Sequence, residues 1–102
     1  MKTLKIPKQF QLFASTINVV FDNKRMDDVN AYGLAEYSEL KITLSDKSGI
    51  DKISRDRILD CYYHEKVHMI LFAMNEKELN NNERFVDVFA KLLRQSDETS
   101  KY

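Results

Sequence analysis

His64-Glu65-Lys66-Val67-His68 contains both histidines of the chain, and their spacing is the first feature with chemical meaning. On a helix, residues four apart are displaced by roughly 6 Å along the axis and about 40° around it. His64 and His68 then project from one face, one turn apart, and can grip a single metal ion. Glu65 lies about 100° further round. From there its carboxylate can reach a water on the open side of an ion rather than the ion itself. Two neutral imidazoles on Zn²⁺, with Glu65 as general base and acid, suit hydrolysis of a peptide bond.

Two histidines do not complete such a site. A catalytic zinc takes three protein ligands and keeps one position for water. With no histidine left, the third ligand is a cysteine or a carboxylate. Asn82-Glu83-Arg84-Phe85-Val86-Asp87 offers a candidate. Glu83 and Asp87 share one helical face, and Ala90 continues it with a small side chain. Glu83 would bind the metal, and Asp87 would accept the outer N–H of a ligating histidine and so fix its tautomer. The 14 residues 69–82 let two helices meet at an angle around the ion. Glu76 and Glu78 are rival ligands, though neither has an acidic partner four residues on. Cys61 lies near the histidine face as a further candidate ligand or redox switch, against the usual burial of a free cysteine. For an oxyanion-stabilising group, Tyr32, Tyr37, Tyr63 and Arg84 are open alternatives.

His64-Glu65-x-x-His68 followed by Asn82-Glu83-x-x-x-Asp87 resembles the gluzincin group of zinc metallopeptidases. In that group the glutamate of the second element is the third ligand, and its aspartate supports a histidine. The C-terminal half, with the run 82–95, is also similar to small phage- and prophage-type HExxH proteins. Its acidic helix looks like that of the metallopeptidases that cleave phage repressors. The resemblance covers about residues 40–95 and reaches the N-terminal strands only loosely. It implies a zincin-like fold, Zn²⁺ as cofactor and a peptide or protein substrate.

The elements that must position these residues are legible from periodicity. Phe10 and Leu12, then Ile17, Val19 and Phe21, alternate with mostly polar neighbours. This predicts one long bent strand or two short ones over 9–22, bent at Ala14-Ser15. Residues 22–25 read as a turn, 26–31 as a helical turn ended by Gly33, and 34–37 and 40–44 as extended. Leu40, Ile42 and Leu44 face one way, Lys41 and Thr43 the other. This strand is a candidate for substrate addition along its edge. Residues 45–49 read as a loop.

Ser54 is a helix cap with Asp56 in the first turn. The helix runs to about Met74, with Ile58, Leu59, Tyr62, Val67, Ile70, Leu71 and Met74 as its apolar stripe. A polar connection over 75–82 leads to a second helix ending near Gln95. Its expected buried side is Phe85, Val86, Val88, Phe89, Leu92 and Leu93. Residues 1–8 and 96–102 are expected to fray. The fold class that follows is α+β, with an antiparallel sheet of about three strands on the HExxH helix.

A chain of 102 residues reads as a single domain, 1–102, and a 43% apolar fraction supports one modest core. Sixteen basic and 16 acidic residues leave a formal net charge of zero, with no basic patch for nucleic acid. No apolar run approaches the ~18 residues of a membrane span. No signal peptide is visible and the single cysteine excludes an internal disulfide, so the cytoplasm, of a host cell if phage-encoded, is the expected compartment. Oligomeric state is not legible. The leading reading is a zinc metallopeptidase. The alternative is a phage or mobile-element protein-binding module whose zinc is structural or vestigial. A metal-free interaction module with a chance motif is the third reading.

Overall fold

Gln9–Leu12 (β1) and Ser15–Phe21 (β2) are two strands joined by a tight turn, antiparallel from Gln9↔Asn18 to Leu12↔Ser15. This computed structural model describes residues 4–102. Asp22 is a helix cap rather than part of a turn: its side chain accepts from the Arg25 N–H at 3.0 Å and starts α1, Asn23–Asp28. The helix therefore begins before the expected 26–31. Asn30, at φ 54, lets the chain leave it. Gly33 opens β3 (Gly33–Glu36) instead of closing a helix. A 3-10 turn, Tyr37–Glu39, leads to β4 (Lys41–Leu44).

The sheet is mixed and four-stranded, in the order β1-β2-β4-β3, where an antiparallel sheet of about three strands was expected. After β2 the chain crosses over through α1 and lays down β3 at the far edge. It then hairpins back, so that β4 inserts between β3 and β2 and runs parallel to β2, from Asn18↔Lys41 to Phe21↔Leu44. A strand paired on both sides is covered more completely than a half-solvated one. Ile42 and Leu44 are buried, and so is Thr43, which the alternation put outside. Its hydroxyl donates to Glu36 Oε1 at 2.8 Å. The expected loop at 45–49 carries part of a short hairpin, β5 (Lys47–Ser48) and β6 (Asp51–Lys52), turning at Gly49 with φ 63.

Ser54 accepts from the Arg57 N–H and begins α2, Arg55–Ala73. Its end is a Schellman turn. Asn75 takes φ 59, Glu76 N–H donates to Leu71 C=O at 2.9 Å, and Asn75 N–H to Phe72 C=O at 3.0 Å. The polar connection is thereby shaped into α3, Lys77–Asn80. Asn82 then caps α4, Glu83–Thr99.

The core joins Ile17, Val19, Ile42 and Leu44 of the sheet to Leu59, Tyr62, Tyr63, Val67, Met69 and Leu71 of α2, and to Val86 and Ala90 of α4. α2 thus lies between sheet and α4 and is buried on more than one side, which is why Tyr63 and Met69 join its stripe while Met74 is exposed.

Three further expectations need correction. The second helix does not bury its most apolar stripe: Val88 and Phe89 are each 47% exposed and Leu92 61%. The tail does not fray at 96, because α4 continues to Thr99. There Tyr63 O–H donates to Asp97 at 2.6 Å and Arg94 lies 3.2 Å from Glu98. The lead-in is held over 4–8. Leu4 and Ile6 pack on the core, Arg55 donates to the Leu4 carbonyl, and Val19 N–H to that of Lys8. Residues 1–3 lie outside the described residues. Among the described residues, no helix is long and apolar enough to cross a membrane.

Candidate metal centre

His64 and His68 sit in the middle of α2, which Val67, Met69 and Leu71 fasten to the core. Glu83 is the first residue of α4, and the Asn82 cap sets where that helix starts. The two elements bring three side chains to one point. His64 Nε2 is 3.3 Å from Glu83 Oε2, and His68 Nε2 is 3.2 Å from Glu83 Oε1. One ligand atom from each of the three falls within 4.8 Å of the others, close enough to hold a metal ion. Tetrahedral bonds of ~2.1 Å set donor atoms about 3.4 Å apart, so the carboxylate already stands at ligand spacing from both imidazoles. Two nitrogens and one carboxylate oxygen form a donor set suited to zinc with one position open. The His68 side chain is 12% exposed and that of Glu83 69%, so the cluster is walled on the α2 side and open to solvent on the other.

The second nitrogen of each imidazole decides whether the first can bind metal. His68 Nδ1 lies 2.5 Å from Asn80 Oδ1. A carbonyl oxygen only accepts, so in this contact Nδ1 carries a proton, which leaves Nε2, the nitrogen beside Glu83, as the one that could bind an ion. Asn80 is itself held, since its Nδ2 donates to Tyr37 Oη at 3.2 Å. The Tyr37 ring stacks on Phe72 with centroids 4.7 Å apart. His64 Nδ1 is 3.9 Å from Asp87 Oδ1, beyond hydrogen-bond length, and the other Asp87 oxygen takes Lys91 Nζ at 2.9 Å. Asp87 therefore stands beside the expected nitrogen without a direct hydrogen bond. The corresponding support for His68 comes from Asn80, a residue that sequence reasoning missed because only the Schellman turn and α3 carry it there.

Glu65 is held by the sheet rather than by the cluster. Its carboxylate accepts the backbone N–H of Ala35 in β3. Burial raises its pKa above the ordinary carboxylate value, against the opposing pull of His64 and His68. Gly33 makes the room: a Cβ there would stand 3.2 Å from Glu65 Cγ and 3.4 Å from Oε2. The strand beside the site is therefore β3, the sheet edge, and not residues 40–44, whose backbone is already paired on both sides.

The other candidates separate clearly. Tyr63 is committed to Asp97, Arg84 lines a cavity on the outer face of α4, and Tyr32 lies under Arg57. Tyr37 is the tyrosine on which the charges of Glu65 and Glu83 both act, and with burial as the main cause they raise its pKa. Cys61 is half-buried beside Gly33 and Glu65, its thiol pushed up by burial, and it is not in the ligand cluster. Glu76 and Glu78 are exposed and also outside it. Set against family models, curated proteins and solved structures, the chain matches none of them.

Proposed function

We propose that the chain is a zinc-dependent peptidase of gluzincin type, a minimal zincin-like domain akin to small phage-type HExxH proteins. In this reading His64, His68 and Glu83 hold Zn²⁺ and Glu65 is the general base. The observation that supports it is the convergence of both Nε2 atoms and the Glu83 carboxylate, with Glu65 beside that point but anchored to β3. Zn²⁺ bound there would polarise a substrate carbonyl and lower the pKa of its water towards ~7. The Asn80 contact keeps the His68 lone pair on the metal side. Glu65 takes the proton and returns it to the leaving amine, a role that its raised pKa suits. β3 is an edge strand of the sheet and its Ala35 bonds Glu65, so the outer edge of β3 lies beside the site and can receive an extended peptide as an added strand.

The test is metal content followed by turnover. The purified chain is expected to bind about one zinc, and His64→Ala to lose it. Glu65→Gln is expected to keep the zinc and lose at least about a hundredfold in peptide hydrolysis. A wild-type chain that takes up no zinc sinks the reading. Zinc uptake without any Glu65-dependent hydrolysis reduces the centre to a structural one.

A further inference from the structure

A cavity of about 450 Å³ opens beside His64 and Glu65, between the first half of α2 and the middle of α4. Its charged lining is Asp56, Arg57, Asp60, Glu65, Asp87 and Lys91. The acids already have partners. Arg94 binds Asp56 and Asp60 through its two terminal nitrogens, each at 2.7 Å. Lys91 binds Asp87 at 2.9 Å, and Ala35 N–H binds Glu65. Arg57 differs: among the described residues no carboxylate forms an ion pair with it. Its guanidinium lies over the Tyr32 ring, 4.6 Å from the centroid. Stacking holds the plane of the group and leaves its N–H edge open to an anion.

Arg57, Cys61 and Glu65 follow one another at four-residue steps along one face of α2. The guanidinium is therefore anchored two turns, ~12 Å along the axis, from the general base. Tyr32 directly precedes β3, so this cation stands at the start of that edge strand, and Arg57 lines the same cavity as His64 and Glu65. An extended chain on that edge advances ~3.3 Å per residue. Two long side chains can close what remains.

We infer that Arg57 is a specificity residue that binds a substrate carboxylate within about two residues of the scissile bond. The inference rests on the peptidase reading for its ligand, a peptide. The carboxylate belongs either to an internal Asp or Glu or to the C-terminus of the peptide, and the chemistry that Arg57 offers is the same for both.

The test titrates short peptides into Glu65→Gln protein supplied with zinc, following the labelled Arg57 side chain by NMR. Three blocked peptides differ only in carrying Glu, Gln or Lys, and a fourth is neutral with a free C-terminal carboxylate. A carboxylate peptide is expected to bind about five- to tenfold more tightly than its neutral counterpart and to shift the Arg57 Nε–H signal. Tight binding of the Glu peptide assigns an internal acid, and tight binding of the fourth assigns the C-terminus. Adding Arg57→Gln should bring the ratio close to one, and Arg57→Glu should turn the preference to Lys. Equal binding of all four peptides, or a preference that survives Arg57→Gln, overturns the inference. Zinc uptake and turnover by the wild-type chain report separately. Hydrolysis without charge preference leaves the peptidase reading and removes the role of Arg57; preference without hydrolysis does the reverse.

Discussion

Asn80 and Glu65 show how much of the candidate centre depends on groups outside the cluster of His64, His68 and Glu83. Asn80→Ala leaves the His68 Nδ1–H without its acceptor. Zinc affinity is expected to fall about 10- to 100-fold, read by competition with a chelator, while the fold persists. Glu65 carries a pH signature. Its folded pKa is raised by burial, so the folded chain binds that proton more tightly than the unfolded chain. This contribution to stability is complete below the unfolded carboxylate value and is lost as pH rises through the raised one. Metal-free Glu65→Gln should therefore melt a few degrees above wild type at neutral pH, and the gap should close near pH ~4 in thermal scans. At this scale the sequence was informative where spacing alone brings side chains together, as in His64 and His68. It was silent on Asn80, Ala35 and Gly33, because their roles depend on a turn and a strand that join distant parts of the chain.

At the level of elements, β3 and α4 are the two that bring distant groups to His64, Glu65 and His68 of α2. Gly33→Ala tests β3. The added methyl presses on the Glu65 side chain at 3.2 Å. On the peptidase reading, hydrolysis is expected to fall about tenfold with zinc uptake unchanged, because the perturbed group would be the base and not a ligand. α4 is clasped to α2 by Arg94, whose side chain is 12% exposed and which meets Asp56, Asp60 and Glu98. Arg94→Met is expected to cost about 2 kcal/mol, discounted because Asp56 and Asp60 remain in contact with water. That corresponds to a Tm lower by ~10 °C in a thermal scan.

The misassigned face of α4 was avoidable from the sequence. At about 100° per residue, turning Glu83 and Asp87 towards α2 brings Val86, Ala90 and Arg94 with them and sends Val88 and Leu92 to the opposite side. The two expectations agreed on Val86 and conflicted on Val88 and Leu92; the structure buries Val86 and Ala90, packs Phe85 and Leu93 against the core, and leaves Val88, Phe89 and Leu92 exposed. The parallel pairing of β2 with β4 was not legible in the same way. Alternation shows which face a residue takes but not which strand lies beside it.

For the molecule as a whole, the division between sheet and helices sets an order of events. The side chains facing the candidate ion all come from 64–87, within a contiguous α2-α3-α4 segment. The hold on Glu65 comes from β3, farther away along the chain, in a sheet whose central pairing is parallel and non-local. Local contacts form early in folding, and non-local strand pairing forms late. Zinc is therefore expected to speed refolding as well as slow unfolding, which stopped-flow measurements with and without the metal can read from both chevron arms. A chain whose refolding rate ignores zinc would place ion capture after the sheet. If the peptidase reading and this order both hold, a newly made chain would acquire its ion while Glu65 is still unplaced, and it would be unable to cut its neighbours until its own folding is complete.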